Sequence, residues 1–308
     1  MAMARRLNVL PRLLMIETPP IVSIVLPVWN GQRYLADAVR SVLSQTIHEF
    51  ELIIVNDCST DKSAEVAEGF ARRDARVKVL HNPENLKVPL SLNRGFEIAR
   101  GKYYTWTSDD NILHPKFLDV LMAELEANDA DIVYSDFNSV DSDGAFLNLT
   151  VVEDPEALVS HNSIGASFLY KKEVHDRLRG YDPKRFLYED YDFWVRAYIA
   201  GFKFYKSDCV VYDYRRHPNS LTSSRAMPCE FICFLYDIRN TLKNVGREAA
   251  FKARKELLAY RRSLGIRRWL VLFGEAAILN PSGAARILAR MAGNFRMKLK
   301  AALLSGPT

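Results

Sequence analysis

Asp109 and Asp110 stand side by side just after Tyr103-Tyr104-Thr105-Trp106-Thr107, a β-branched and aromatic run that predicts a buried strand. Pro115 opens a helix shortly afterwards. In open α/β sheets, ligands sit beyond the carboxyl ends of the strands. Two acids there repel one another unless a cation or a ligand hydroxyl shares them. Hard carboxylate oxygens on a short loop suit Mg²⁺ or Mn²⁺ carrying a diphosphate. The plainer alternative is a solvated turn that caps the next helix.

Four more clusters could do chemistry. Pro27-Val28-Trp29-Asn30 closes a first apolar run, and Asp57 closes a second. Glu189, Asp190 and Asp192 form an acidic patch, and Arg215-Arg216-His217 a basic one. The first two clusters fall on adjacent strand ends of a predicted parallel sheet, where a nucleotide would lie.

The elements that must position these residues alternate in type. Residues 21–28 form a near-continuous apolar run suited to a doubly covered parallel strand, and Leu35, Ala38, Val39, Val42 and Leu43 then share one helical face. Strands follow at 50–55, 77–80, 103–107 and 131–135, with helices at 62–73, 90–99 and 115–127 between them. Such alternation means βαβ units and a mostly parallel, Rossmann-like sheet. After Ser135 the rhythm breaks. Asp141-Ser142-Asp143-Gly144 is a hairpin-type turn, and residues 146–152 and 165–170 read as strands of a smaller mixed sheet. A helix over 191–200 ends at Gly201, short strands follow at 203–206 and 210–214, and the chain from Pro228 onward reads as helical.

Composition narrows the classes. The 308 residues are 48% hydrophobic and 26% charged, which fits a globular protein with a substantial core. Cys58, Cys209, Cys229 and Cys233 have no zinc-like spacing and call for no oxidising compartment, so the chain reads as cytoplasmic and reduced. The net charge of +5 hides an asymmetry. From Arg239 to the end there are 15 Lys/Arg against 3 Asp/Glu, while the preceding residues hold 27 against 34. An acidic body therefore carries a basic tail. No apolar run reaches the roughly 18–20 residues that span a bilayer. Residues 1–20 lack a small-residue cleavage site and read as a loose extension.

Val22–Asn30, Val55–Asp61, Ala99–Asn111 and Glu189–Trp194, in this order and spacing, resemble family 2 glycosyltransferases of the GT-A fold. The resemblance covers about residues 21–225 and leaves 226–308 as a separate basic helical region. It implies that Pro27, Val28, Trp29 and Asn30 line the nucleotide pocket. Asp57 would accept the N3–H of a uracil-type base, since a carboxylate only accepts whereas cytosine N3 is itself an acceptor. Ser108-Asp109-Asp110-Asn111 would be a variant of the family's Asp-x-Asp motif, with Asp110 as metal ligand and Asp109 nearer the ribose. Lys87, where many relatives have Gly, would reach the base or a phosphate oxygen, or be an ordinary exposed lysine. The matching position for the general base of an inverting transfer is Asp190, with Glu189 orienting the acceptor. Asp192 would cap or pair nearby. His217 matches a late His that adds a metal or phosphate contact in some relatives. Phe193, Trp194 and Val195 read as core.

The implied reaction moves one sugar from a UDP- or dTDP-sugar to a glycan or lipid-linked acceptor, assisted by a divalent cation, Mn²⁺ or Mg²⁺. Surface polysaccharide or glycolipid assembly is its expected setting. Processive relatives carry Gln-x-x-Arg-Trp, but Gly265 replaces Gln ahead of Arg267-Arg268-Trp269. Residues 261–304 intersperse nine Arg/Lys with Trp269, Phe273 and other apolar residues, a pattern suited to the anionic inner face of a membrane. Packing on the catalytic domain and an oligomer contact are the alternatives for this tail. Nucleic acid is a poor partner for the acidic body. Two other classes compete: a non-catalytic sugar-nucleotide binder, favoured only by Ser108, and a nucleotidyltransferase, which lacks its Gly-rich phosphate loop here.

Overall fold

The computed structural model describes residues 19–159 and 161–221. The expected helices after Pro228, Cys229 and Cys233, the basic segment 261–304 and nearly all of the 1–20 extension lie outside the described residues.

The first half runs β1 (Val22–Val28), α1 (Leu35–Leu43), β2 (Phe50–Asn56), α2 (Ser63–Ala71), β3 (Val77–His81), α3 (Lys87–Glu97) and β4 (Tyr103–Trp106). Then come β5 (Ile112–Leu113), α4 (Phe117–Ala127), β6 (Ile132–Ser135), β7 (Phe137–Val140), β8 (Phe146–Thr150) and β9 (Phe168–Lys171). The last described elements are α5 (Lys172–Leu178), α6 (Glu189–Ile199), β10 (Phe204–Ser207) and β11 (Tyr212–Arg215).

Seven strands form the central sheet in the order β10-β6-β9-β4-β1-β2-β3. All its neighbours are parallel except β9, which runs antiparallel to both β4 and β6. The apolar β1 and β2 runs are buried because both faces are covered; Ile24, Leu26, Leu52 and Ile54 are fully enclosed. The chain winds outward from β1 through β2 to β3, then crosses to β4 on the other side of β1. The order therefore reverses between β1 and β4, and this switch point opens a crevice at their carboxyl ends. A second sheet, β5-β11-β7-β8, stands beside it.

Three local expectations are corrected. The 165–170 strand belongs to the central sheet, where Phe168, Leu169 and Tyr170 are buried between β4 and β6. Helix α3 begins at Lys87 rather than Leu90, because a carboxylate distant in sequence, Asp57, accepts the N–H groups of Leu86 and Lys87. Helix α6 begins at Glu189, two residues early, and so takes the acidic patch into its first turn. Among the described residues no helix is long and apolar enough to cross a membrane.

Candidate active site

The loops after β1 and β2 are tied together reciprocally. Asn30 N–H donates to Ser59 Oγ, Gly31 N–H to Ser63 Oγ and Gln32 N–H to Asp61. In return, Thr60 N–H donates to Asn30 Oδ1 at 2.8 Å, and Lys62 N–H to Gln32 Oε1. Asn30 and Cys58 hold φ of 56° and 58°, left-handed conformations that help these loops turn sharply toward each other. The expected pocket residue Asn30 thus spends its side-chain oxygen on holding the pocket's shape.

These loops, the end of β4 and the start of α6 enclose a cavity of about 520 Å³. Pro27, Val28, Trp29, Asn30 and Asp57 line it, as do Asp109, Asp110, His217, Glu189 and Asp190. Lys87 stands outside the lining, with its Nζ 5.8 Å from the centre of the half-exposed Trp29 ring.

Asp57 is buried and heavily used. Its Oδ1 accepts from Asn82 Nδ2 and from Leu86 N–H, both at 2.7 Å, and its Oδ2 accepts from Lys87 N–H at 2.9 Å. A carboxylate has about four acceptor positions, so one on Oδ2 is left over. Ser91 and Arg94 hold Asn82 in place for this arrangement.

The acid pair at the end of β4 is crowded. Burial, then the neighbouring Asp110, pushes the Asp109 carboxyl up to about 8. Burial also raises Asp110, against the opposing pull of His217, whose Nε2 lies 2.9 Å from Asp110 Oδ2. Arg215 fixes this corner: its backbone N–H donates to Asn111 Oδ1, and its guanidinium donates to the carbonyls of Asp110 and Ser142. The same guanidinium sits 4.8 Å over the Tyr34 ring. The sequence marks Arg215 only as part of a basic patch. Nothing in it marks Gly31, where an added Cβ would fall 1.5 Å from Asp109 Oδ2. A residue without a side chain is what lets the β1 loop approach that carboxylate.

Among the described residues, no cluster of three or more His, Cys, Asp or Glu side chains is arranged to hold a metal. Two side chains, Asp110 and His217, converge beside the acidic Asp109. That donor set fits a divalent cation that keeps most of its shell for phosphate oxygens and water, as Mg²⁺ does.

At the start of α6, Asp190 Oδ1 accepts from Tyr191 N–H at 2.7 Å and Oδ2 from Asn162 Nδ2 at 2.8 Å. Glu189 is 7% exposed, and its Oε2 has no hydrogen-bond partner. Burial and the Asp190 charge push the Glu189 carboxyl up to about 8; burial also raises Asp190, against its two donors. Leu187 reaches the cavity at φ 79°, a conformation a leucine adopts only when its surroundings impose it. Asp192 pairs with Arg196 at 2.7 Å, and Phe193, Trp194 and Val195 are core.

Comparison with known proteins bears on this arrangement. The chain is 32% identical to the uncharacterized glycosyltransferase EpsJ of Bacillus subtilis (strain 168), over 66% of this chain and 63% of that protein. It thus spans less than two thirds of that relative's length. The fold matches TarS of S. aureus in complex with UDP-GlcNAc, with a TM-score of 0.64 at 16% identity over 85% of this chain and 82% of that one. It also matches the mannosyltransferase PcManGT from Pyrobaculum calidifontis in complex with GDP-Man and Mn²⁺, with a TM-score of 0.59 at 16% identity over 90% and 80%. The family model described as Glycosyl transferase family 2 matches residues 23–196, more than half of the sequence, including the ends of β1, β2 and β4 and the start of α6 around the cavity. The chain belongs to glycosyl transferase family 2.

Proposed function

We propose that this chain moves a single sugar, with inversion, from a UDP- or dTDP-sugar to a hydroxyl of a glycan or lipid-linked acceptor. One observation carries the reading: two acid pairs, Asp109–Asp110 and Glu189–Asp190, line one cavity at the sheet's switch point. The first pair lies where a diphosphate would bind, and the second offers a proton acceptor across the cavity. TarS in complex with UDP-GlcNAc and PcManGT in complex with GDP-Man, on the same fold, support a nucleotide-sugar donor.

In the transfer, Asp190 takes the proton of the acceptor hydroxyl as that oxygen bonds to the anomeric carbon. The bond from that carbon to the diphosphate breaks, and the nucleoside diphosphate leaves with the electron pair. Asp110 and His217 would hold a divalent cation, Mn²⁺ or Mg²⁺, whose charge would offset that growing on the leaving phosphate. The Ser108-Asp109-Asp110-Asn111 loop serves as the Asp-x-Asp motif in this reading. The basic segment 261–304 is read, from its sequence, as a contact with an anionic membrane surface.

Incubating the chain with a panel of UDP- and dTDP-sugars and Mn²⁺ tests the function, since hydrolysis alone releases the nucleoside diphosphate. Release from at least one donor is expected. Tight binding with no release from any of them would make the chain a sugar-nucleotide binder instead.

The single acceptor position left on Asp57 suits one imide N–H, as in uracil or thymine, better than the paired N1–H and N2–H₂ of guanine. Asp57→Ala should weaken UDP binding while leaving CDP binding at its low starting level. It should also lower the melting temperature, because a buried donor left unpaired costs roughly 1–3 kcal/mol. Equal proportional losses for UDP and CDP in calorimetry would assign Asp57 to loop support alone.

A further inference from the structure

We propose that Asn162 is a positioning residue that makes Asp190, rather than its neighbour Glu189, the carboxylate that carries charge in this cavity. The inference rests on the reading of Asp190 as the base.

Asn162 lies 28 residues before Asp190, on the loop that enters β9, and its amide is oriented from both ends. Its Oδ1 accepts from Ile164 N–H at 3.3 Å and Gly165 N–H at 3.4 Å, so its Nδ2 faces Asp190 Oδ2 at 2.8 Å. Gly165 makes this turn feasible: φ is 74°, and an added Cβ would fall 2.6 Å from the Phe137 ring. The amide therefore cannot flip without giving up its turn, and its donor is committed to the acid.

That donor decides between two adjacent carboxyls competing for one negative charge. Charges this close do not both ionise easily in a buried site. Asp190 receives a donor on each oxygen, from Tyr191 N–H and Asn162 Nδ2, whereas Glu189 is met only by backbone N–H groups of its own turn and its Oε2 receives none. Hydrogen bonds given to the charged form favour it, so the proton stays on Glu189 and Asp190 is left as the acceptor. Tyr191 would supply its donor to any residue at 190, because that bond is local. Asn162 is the part of the device that comes from elsewhere in the chain.

Other charged groups around α6 do not compete. Asp192 is paired with Arg196 and Arg185. Tyr181, which feels the Asp190 charge, is pushed far above neutrality by burial. His175 of α5 lies in the aromatic layer, held near 4 by burial and hence neutral. Glu156, on the 155–159 turn against α6, faces Tyr198.

The test compares Asn162→Ala, which removes both the turn acceptor and the donor, with Asn162→Asp, which keeps an acceptor for the turn. The full chain is used, with Mn²⁺ and the UDP-sugar it hydrolyses fastest. In both variants the acid limb of the kcat–pH profile should move up by about one pH unit or more, since a hydrogen bond to an ionised group is worth that much. Asn162→Asp should move it further, because a third acid joins Glu189 and Asp190 in place of the donor, and it should melt near the wild-type temperature when measured below the acid limb, where these carboxyls are protonated. UDP affinity should be unchanged in both. An acid limb that stays in place in Asn162→Asp, with Asp190→Asn inactive, overturns the positioning role alone. An active Asp190→Asn overturns the base assignment beneath it.

Discussion

Asp190→Asn should leave the fold and UDP affinity intact while lowering the transfer rate by about 10²–10⁴-fold, the usual contribution of a general base. The substitution preserves shape. The new amide keeps an oxygen for the Tyr191 N–H, but its N–H₂ then meets that of Asn162, so one hydrogen bond is lost and the melting temperature should fall slightly while the fold persists. What is lost is the site that takes the acceptor proton. The loss should therefore appear in kcat at saturating donor rather than in donor KM. Single-turnover transfer and UDP calorimetry on the same preparation check both halves. A variant that transfers at the normal rate but binds UDP poorly would move Asp190 to the donor site.

Asp110→Ala should abolish the dependence of UDP binding on Mn²⁺ and nearly all turnover. In the proposed reading Asp110 and His217 are the two side chains among the described residues that would hold the cation, so removing one leaves a single protein donor. Stabilisation of the leaving phosphate by a cation is worth several kcal/mol, and each 1.36 kcal/mol is tenfold in rate. The expected rate loss is therefore on the order of 10²–10³-fold or more. Stability should behave differently. Asp109 and Asp110 are partly buried neighbours, and the Asp110 charge raises the proton affinity of Asp109, so deleting the Asp110 carboxyl relieves repulsion. In cation-free buffer the variant should melt no lower than the wild type. Titrating UDP with and without Mn²⁺, alongside a thermal melt in EDTA, separates the two effects. An Mn²⁺ effect equal to that of the wild type would place the cation elsewhere.

Much of the frame was legible in the chain because its signals are local. The continuous apolar runs of β1 and β2 name doubly covered parallel strands, since only burial on both faces removes the need for alternation. The acids fall at strand ends in sequence, and a parallel sheet gathers such ends on one edge. For that reason Asp57, Asp109 and Asp110 read as neighbours from the sequence, and all three line one cavity. The resemblance of the Glu189–Trp194 segment to a known family added Asp190, which no periodicity could have marked.

What the chain alone left open depends on partners far apart in sequence. The buried 168–171 strand carried no sign of its direction, because an apolar strand fits between β4 and β6 either way until its connections are placed. The early start of α3 depends on Asp57, some 30 residues away, accepting its first N–H groups. Gly31 matters only because the β4 loop brings Asp109 against it. The same holds for Asn162, an unremarkable amide until the β9 loop sets it against Asp190. The residue types and their order along the strands determined the sheet, its ligand edge and the acids upon it. Tertiary structure decided how each acid is held and which would carry charge, because burial and hydrogen-bond donors set proton affinity, and both are supplied by segments remote in sequence.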